Sequence, residues 1–193
     1  MRKISAHYCL MPDGSIGKMP VITFSDDGII EDIRIAAEGF REEPGLEYYG
    51  GVLIPGLIQD LRGFQAEEFD PDKLKRLLNR LYSRGSLRYL CNGSFERYSA
   101  FFSGKVVFGT SVTPETDTEF ISAWDKVTAD LPDNGNVAEA LSIYLKKIVE
   151  KLPPDVKWGV LEKGADPGLI LIKGLDYNGM RLKQNTTLKI LIK

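Results

Sequence analysis

The chain has 193 residues, of which 43% are hydrophobic and 27% are charged, and its net charge is −2. This composition is typical of a globular protein with a core, and it lacks the basic excess with which proteins bind nucleic acid or an anionic membrane. Apolar runs are shorter than the roughly 20 residues of a membrane span, and no signal-peptide core follows the N-terminus, so we expect a cytoplasmic protein.

The first 54 residues carry the signals of β-structure. Pro12-Asp13-Gly14 and Ser25-Asp26-Asp27-Gly28 indicate turns, because proline fixes φ and glycine accepts a positive φ. Alternation after the second turn places Ile29, Ile33 and Ile35 on one face of a strand. A loop containing Glu42 and Glu43 precedes the last strand of this part. The predicted strands are Ile4 to Leu10, Val21 to Phe24, Ile29 to Ile35 and Leu46 to Ile54.

Residues 65–152 are predicted to be mainly helical. Asp70 before Pro71 is a helix N-cap signal, and Gly85 ends the helix. Capping-box spacings at Thr116 and Glu119, and at Asn136 and Glu139, precede two further apolar helix faces, the second of which runs to Leu152. Between these helices, Leu87 to Cys91 and Lys105 to Phe108 are predicted strands, and Ser94 to Phe102 is a short aromatic helix.

The last part of the chain returns to β-structure, with predicted strands at Lys157 to Glu162, Leu169 to Ile172 and Thr187 to Ile192. The order β, helical, β predicts an α+β (mixed α/β) fold in which both ends of the chain pair. We therefore expect a β-sandwich from residues 1–58 and 156–193, with residues 59–155 as a helical insert.

A Pro-Gly step inside an apolar run lies at the centre of these patterns, in Gly50-Gly51-Val52-Leu53-Ile54-Pro55-Gly56. Two further stretches are Val106-Val107-Phe108-Gly109-Thr110-Ser111 and residues 159–172, where a glycine-rich turn precedes an apolar strand. In order and spacing, the three stretches resemble the metal-dependent amidohydrolases, and more closely the aminodeoxyfutalosine deaminase-like members of menaquinone biosynthesis. The resemblance implies a composite β-domain built from both ends of the chain.

The same resemblance implies that the family's metal ligands are absent here. In the family, an aspartate and two histidines follow the Pro-Gly run, and Gln59, Leu61 and Gly63 stand at those positions in this chain. Ser111 stands where the family's last barrel strand is followed by an aspartate. A full (β/α)₈ barrel takes ~250 residues, whereas about fifty separate the first two stretches here. The likeness thus implies a remnant of one or two barrel-like β/α units.

A metal that activates water needs several converging histidine or carboxylate ligands. His7 is the single histidine of the chain and lies in a predicted strand where the family has no ligand. The cysteines Cys9 and Cys91 form no CxxC pair, which fits a reducing compartment and predicts neither a disulfide nor a metal knuckle. We therefore predict no metal site and no cofactor.

Four residues are candidates for a relocated catalytic site: Asp60, Arg62, Cys91 and Ser111. Asp60 and Arg62 follow the Pro-Gly run and could instead form a solvated ion pair. Cys91 could be a nucleophile or a buried small thiol, since no histidine is predicted beside it. An aromatic cluster between Tyr89 and Phe108 could be core or, if exposed, an interface.

Two functional hypotheses follow. The favoured one is a degenerate, non-catalytic amidohydrolase-like protein, because loss of a barrel uncovers apolar surface that must be covered again. Its expected partner is a second copy of the chain, as a homodimer, or a full-length amidohydrolase-like enzyme, and not nucleic acid or a membrane. The alternative is a hydrolase or deaminase acting on carbon–nitrogen bonds other than peptide bonds, with a relocated or shared site.

Overall fold

Strands from both ends of the chain lie in one sheet of the computed structural model, which describes residues 1–36, 43–103, 105–112, 120–129 and 131–193. Two 3₁₀ segments, Ala66–Glu68 and Gly93–Phe102, accompany the regular elements. The strands are β1 (Arg2–Leu10), β2 (Ile16–Lys18), β3 (Pro20–Phe24), β4 (Ile30–Ile35), β5 (Leu46–Pro55), β6 (Leu57–Asp60), β7 (Ser86–Asn92), β8 (Val106–Gly109), β9 (Leu169–Lys173) and β10 (Thr187–Ile192). The helices are α1 (Pro71–Ser83), α2 (Ala123–Ala129) and α3 (Val137–Val149).

The larger sheet has seven strands in the order β10-β9-β5-β1-β3-β4, with β2 paired to β1. β1 pairs parallel with β5, and β5 pairs antiparallel with β9 over Val52 to Pro55, so N- and C-terminal strands share hydrogen bonds. The predicted mixed α/β class is confirmed. The finer prediction of a β-sandwich, and the division into residues 1–58 plus 156–193 and 59–155, stay predictions.

Alternate side chains of this sheet enter two apolar clusters, as expected because successive strand residues point to opposite faces. Ile54 and Ile170 pack against the helices α2 and α3, through side chains that include Trp124 and Leu141. The opposite face packs against Leu161 in the connection before β9. The cluster on that face contains Ile4, Ala6, Cys9, Ile22, Phe24, Ile30, Leu53, Leu161, Leu169 and Leu171.

The smaller sheet is parallel and has the strand order β6-β7-β8. All seven residues of β7 are buried, as expected for the central strand of a parallel sheet covered on both faces. On one face lie α1 and the 3₁₀ segment Gly93–Phe102, which pack on Tyr89 and Cys91. On the other face, α3 and Trp158 pack on Ile58 and Leu90.

The predicted helix starts are confirmed at two caps. The Asp70 side chain accepts a hydrogen bond from Lys73 N at 2.8 Å, and α1 follows with Pro71 as its first residue. Asn136 Oδ1 accepts from Ala138 N and Glu139 N at 2.9 and 3.2 Å and begins α3. The predicted capping-box pair Thr116 and Glu119 and the loop residue Glu42 lie outside the described residues.

One predicted strand is wrong, and the alternation predicted for β4 is interrupted. Lys157 to Glu162 is not a strand: Gly159 has φ +70°, and Trp158 and Leu161 enter different apolar clusters from an irregular connection. In β4, Ile33 packs against the core cluster of the large sheet, whereas Ile29 and Ile35 are exposed. Ile30 is buried in the same cluster as Ile33, because the pairing with β3 shifts register between Thr23 and Phe24. Ile30 N also donates to Ala165 O at 2.8 Å and Ile30 O accepts from Gly164 N at 2.8 Å, so this end of β4 is tied to the connection before β9.

Among the described residues, no helix combines the length and the apolar character that crossing a bilayer requires.

Ser5 provides a test of the packing of the large sheet. It is 0% exposed in β1, and its Oγ has no hydrogen-bond partner among the described residues. Because a buried hydroxyl without a partner costs about 1–3 kcal/mol, Ser5→Ala should leave the free energy of unfolding unchanged or raise it by up to about 1 kcal/mol. Urea denaturation measures the change.

The matched control is Ser86→Ala, because Ser86 is equally buried but donates to Gln59 Oε1 at 3.3 Å. We expect that substitution to lower the free energy of unfolding by about 1 kcal/mol. An equal loss in both variants would contradict the interpretation of Ser5 as an unpaired hydroxyl.

Candidate functional site

The carboxyl ends of the three parallel strands lie side by side at one end of the small sheet. Asp60 ends β6, Asn92 ends β7 and Gly109 ends β8, and Asn92 is in register with Gly109. In open α/β sheets, ligands bind beyond the carboxyl ends of the strands, where loops from neighbouring strands come together. We refer to the group Asp60, Arg62, Asn92, Gly109 and Lys151 as the strand-end site.

Asp60 and Arg62 form a bidentate ion pair at the end of β6. Arg62 Nε donates to Asp60 Oδ1 at 3.0 Å and Nη2 donates to Oδ2 at 2.8 Å, while the Arg62 backbone N–H donates to Oδ1 at 3.1 Å. Their side chains are only 9% and 20% exposed for Arg62 and Asp60. The pair is therefore largely buried, unlike the solvated ion pair that the sequence also allowed.

The charges of this pair perturb each other. Burial acts to raise the pKa of Asp60, but the hydrogen bonds and charge of Arg62, with the charge of Lys151, outweigh burial and hold that pKa below its usual value. The hydrogen bond to Asp60 raises the pKa of Arg62. Both groups are thus charged at neutral pH, and Asp60 is a weaker base than a free aspartate.

The α3 helix contributes two polar groups to this end of the sheet. Tyr144 donates its hydroxyl to Ile58 O at 2.6 Å, and Lys151, just beyond the helix, lies with Nζ 3.4 Å from Asp60 Oδ2. Lys151 is 91 residues from Asp60 along the chain. Sequence patterns gave no signal for it, because only the packing of α3 on Ile58 and Leu90 brings it to the strand ends.

Asn92 holds the loop that carries Arg62. It is 1% exposed, its Nδ2 donates to Arg62 O at 2.8 Å and to Phe64 O at 2.7 Å, and its Oδ1 accepts from Ser94 N at 2.9 Å. The pattern of an asparagine two residues before a serine, directly after an apolar run, is a turn signal that could have identified it.

The four predicted residues do not all meet. Asp60 and Arg62 are in contact, but Cys91 is 0% exposed in the apolar cluster with α1, on the other face of the sheet from Leu90 and α3. Burial, with a smaller effect from the charge of Asp60, raises the pKa of the Cys91 thiol. Ser111 is exposed, two residues beyond β8. The assignment of these residues as catalytic stays a prediction.

His7 lies in β1, away from the small sheet, beside three tyrosine rings. Its ring centroid is 5.7 Å from those of Tyr48 and Tyr177 and 6.3 Å from that of Tyr8, all in edge-on contacts. Within the described ranges, no three histidine, cysteine, aspartate or glutamate side chains are grouped closely enough to hold a metal ion.

The aromatic cluster of the small sheet is mainly core. Tyr89, Phe95 and Phe102 are buried against α1, and Tyr98 and Phe108 are partly buried beside them. Phe101 is the exception, at 43% exposed, and it stacks on Tyr98 with ring centroids 5.7 Å apart.

The strand-end site can hold charge but is poorly suited to proton transfer. A general acid or base works best with a pKa near the working pH, yet the pKa of Asp60 is lowered and that of the Cys91 thiol is raised. A neutral buried thiol is a poor nucleophile. Neither side chain therefore has a pKa near neutral pH with which to transfer a proton.

No protein-family model matches the chain, and no curated protein sequence matches it significantly. The solved structures to which it is similar include an amidohydrolase from Brucella melitensis, with 18% identity and TM-score 0.36, over 46% of this chain and 26% of that one.

A second is an ochratoxinase from A. niger, with 18% identity and TM-score 0.39, over 58% of this chain and 30% of that one. A third is an N-acetyl-D-glucosamine-6-phosphate deacetylase from Mycobacterium smegmatis, with 14% identity and TM-score 0.43, over 75% of this chain and 44% of that one. The chain spans less than half of the length of each of these structures. The closer likeness to aminodeoxyfutalosine deaminase-like proteins stays a prediction.

The Asp60–Arg62 pair predicts a pH-dependent stability. Because the folded-state pKa of Asp60 is lowered, its stabilisation is complete above the unfolded value of about 3.9 and is lost as the pH falls through the folded value. Asp60→Asn should lower the free energy of unfolding by about 2–4 kcal/mol at pH 7, since it leaves the Arg62 charge without its partner. Denaturant titrations from pH 7 to pH 3 measure the difference.

The control for this prediction is Asp155→Asn, at an exposed position, which should change the free energy of unfolding by less than about 0.5 kcal/mol at any pH. If the difference between the wild type and Asp60→Asn is the same at pH 3 as at pH 7, the pair does not stabilise the fold as we infer.

The burial of Cys91 predicts an unreactive thiol. Cys9 is also 0% exposed, and burial raises its pKa to about 12, so Cys9→Ala isolates Cys91 without exposing another thiol. In that variant an aromatic disulfide reagent should modify the native protein on the order of a hundredfold or more slower than the urea-unfolded chain, because reaction requires local opening. Rapid modification of the native variant would restore Cys91 as a candidate nucleophile.

Proposed function

We propose that this chain is a non-catalytic protein that acts by self-association, with the outer edge of β8 as the pairing surface. Descent from an amidohydrolase-like protein is part of the proposal and rests on the three sequence stretches described above. The expected cytoplasmic location stays a prediction.

The observation that carries the proposal is the difference between the two edges of the small sheet. The β6 edge is covered: Gln59 is 2% exposed, its Oε1 accepts from Ala123 N at 2.8 Å, and its Nε2 donates to Ile121 O at 3.2 Å beside α2. All four residues of β8 are half-exposed, and within the described residues β8 pairs with β7 alone. The backbone groups of an edge strand can pair with a strand of another chain, so an apolar edge without a neighbour among the described residues is a candidate pairing surface.

The backbone of β8 presents hydrogen-bonding groups on its outer side. Tyr89 N donates to Lys105 O at 3.0 Å, so Lys105 and every second residue after it direct their backbone groups toward β7. The N–H and C=O groups of Val106 and Phe108 therefore face away from the sheet. These groups can bond an added strand without breaking any bond to β7.

A second copy of the chain is the occupant that fits this edge. In a two-fold pairing each residue of the edge meets the same strand of the partner, so a charge on the strand would meet a like charge. Val106–Gly109 carries no charge, and the adjacent Lys105 is engaged with Asp166, whose Oδ2 lies 2.8 Å from its Nζ. Exposed apolar side chains, Phe101 and Val112, flank the strand in sequence.

The state of the polar groups supports a non-catalytic role. Asp60 is committed to Arg62, and Cys91 is a buried neutral thiol on the opposite face of the sheet. The alternative, a hydrolase or deaminase acting on carbon–nitrogen bonds, has in its favour that Asp60 and Arg62 lie together at the strand ends. It lacks an activated nucleophile or base among them.

The proposal is tested by placing charges on β8. In sedimentation equilibrium at micromolar concentration, the wild-type protein should have a molar mass twice the 21.6 kDa of the chain. Val106→Glu and Val106→Lys should each sediment as monomers, because like charges then face each other across the two-fold axis. An equimolar mixture of the two variants should regain the double mass, since opposite charges meet.

The control is Val106→Thr, which keeps a β-branched, uncharged side chain and should remain dimeric. Circular dichroism and thermal unfolding confirm that each variant is folded. A wild-type chain that is monomeric at 100 µM would overturn self-association, and capture of a full-length amidohydrolase-like enzyme would assign the edge to that partner instead.

A further inference from the structure

The strand-end site carries more positive than negative charge. One carboxylate, Asp60, lies between two cationic side chains, with Arg62 Nη2 at 2.8 Å and Lys151 Nζ at 3.4 Å. Arg62 is 7% exposed, whereas Lys151 approaches Asp60 from the solvent with a side chain that is 47% exposed. One positive charge is therefore left over at the carboxyl ends of the parallel strands.

Arg62 also has hydrogen-bond donors to spare. A guanidinium has five N–H groups, and Asp60 takes one from Nε and one from Nη2. Nη1 has no hydrogen-bond partner among the described residues. A Cβ added at Gly109 would lie 3.3 Å from Arg62 Cδ and 4.0 Å from Nη1, so the absence of a side chain there lets the guanidinium lie against the end of β8.

Groups that can bind oxyanions follow Gly109 in the sequence and flank Asp60. Thr110 and Ser111 follow Gly109, and both are exposed at the end of β8. The Lys151 ammonium, beside Asp60, has three N–H groups, one of which is directed at Asp60 Oδ2. Asn92 donates to the backbone carbonyls of Arg62 and Phe64 and so keeps the loop in place before a ligand arrives.

We propose that the strand-end site binds a small oxyanion, a carboxylate or a phosphate, between Arg62 Nη1 and Lys151 Nζ. A cation is disfavoured, because both oxygens of Asp60 are already engaged by Arg62 and two positive charges flank them. The binding requires no other copy of the chain and no bond cleavage, so it is independent of the self-association through β8.

The test is a titration of ¹⁵N-labelled protein followed by NMR, with inorganic phosphate in one series and succinate in another. Ionic strength is held constant with sodium chloride. The amide signals of Arg62, Gly109 and Thr110 should shift and saturate, with a dissociation constant on the order of 1 mM for this partly solvated site. Saturation by one of the two probes identifies whether phosphate or carboxylate is the preferred group.

Lys151→Ala should weaken the binding about tenfold, because it removes a charged hydrogen-bond donor from the anion. Lys146→Ala is the matched control: it removes an exposed lysine from α3, the helix that precedes Lys151, beside the separate groove lined by Met11 and Val149. Asp60→Asn with Arg62→Gln removes both charges of the buried pair together and should abolish binding in a protein shown to be folded by its NMR spectrum.

Shifts that fail to saturate with either probe would overturn the proposal. So would equal weakening by Lys151→Ala and Lys146→Ala, since the anion would then respond to overall charge and not to this site. Sedimentation of the same samples shows whether a failure concerns the anion alone, because loss of the dimer is a separate observation.

Discussion

The arrangement of the two sheets depends on a close approach at Gly56. This residue lies between β5 and β6, its N–H donates to Pro167 O at 3.1 Å, and a Cβ added to it would stand 2.6 Å from that same oxygen. Only glycine fits such a contact. Because β5 is held between β1 and β9, this step sets where β6 begins and hence where the whole parallel sheet lies.

A buried ionic network at Arg88 in β7 stabilises the same contact between the small sheet and the segment before β9. Arg88, whose side chain is 0% exposed, donates to Asp166 O and Oδ1 and to Leu87 O, and its guanidinium carbon lies 5.7 Å from the Trp158 ring centroid. Burial lowers the pKa of Arg88, against the opposing effect of Asp166. All three nitrogens of Arg88 are engaged, in contrast to Arg62, where Nη1 has no partner among the described residues. The two arginines therefore differ in how many of their donors the fold engages.

The functional interpretation rests on where charge and open backbone lie on the small sheet. Its carboxyl ends carry an excess of positive charge, while its β8 edge is apolar and half-exposed. Cys91 and Tyr89, the reactive types of side chain in β7, are directed into the apolar cluster with α1, where burial raises the pKa of each. The proposals of self-association and of anion binding both start from this distribution of charge and backbone groups.

The sequence by itself determined the local structure. Asp70 and Asn136 cap helices because a side-chain oxygen next to an amphipathic run satisfies free backbone N–H groups, a short-range effect that pattern reveals. Pattern also placed Asp60 and Arg62 together, since they are two residues apart at the end of one strand. The prediction of a strand at Lys157 to Glu162 was wrong because apolar composition cannot show that Trp158 and Leu161 pack in different clusters.

Only the tertiary structure decided which groups meet at the strand ends. β7 is buried throughout, so its residues show no polar alternation from which the face of Cys91 could be predicted. Lys151 reaches Asp60 across 91 residues because α3 packs on Ile58 and Leu90. That β8 pairs with β7 alone among the described residues is likewise a matter of what packs beside it. These features depend on long-range packing, which periodicity and capping do not encode, whereas the helices, turns and strand ends arise from contacts between near neighbours.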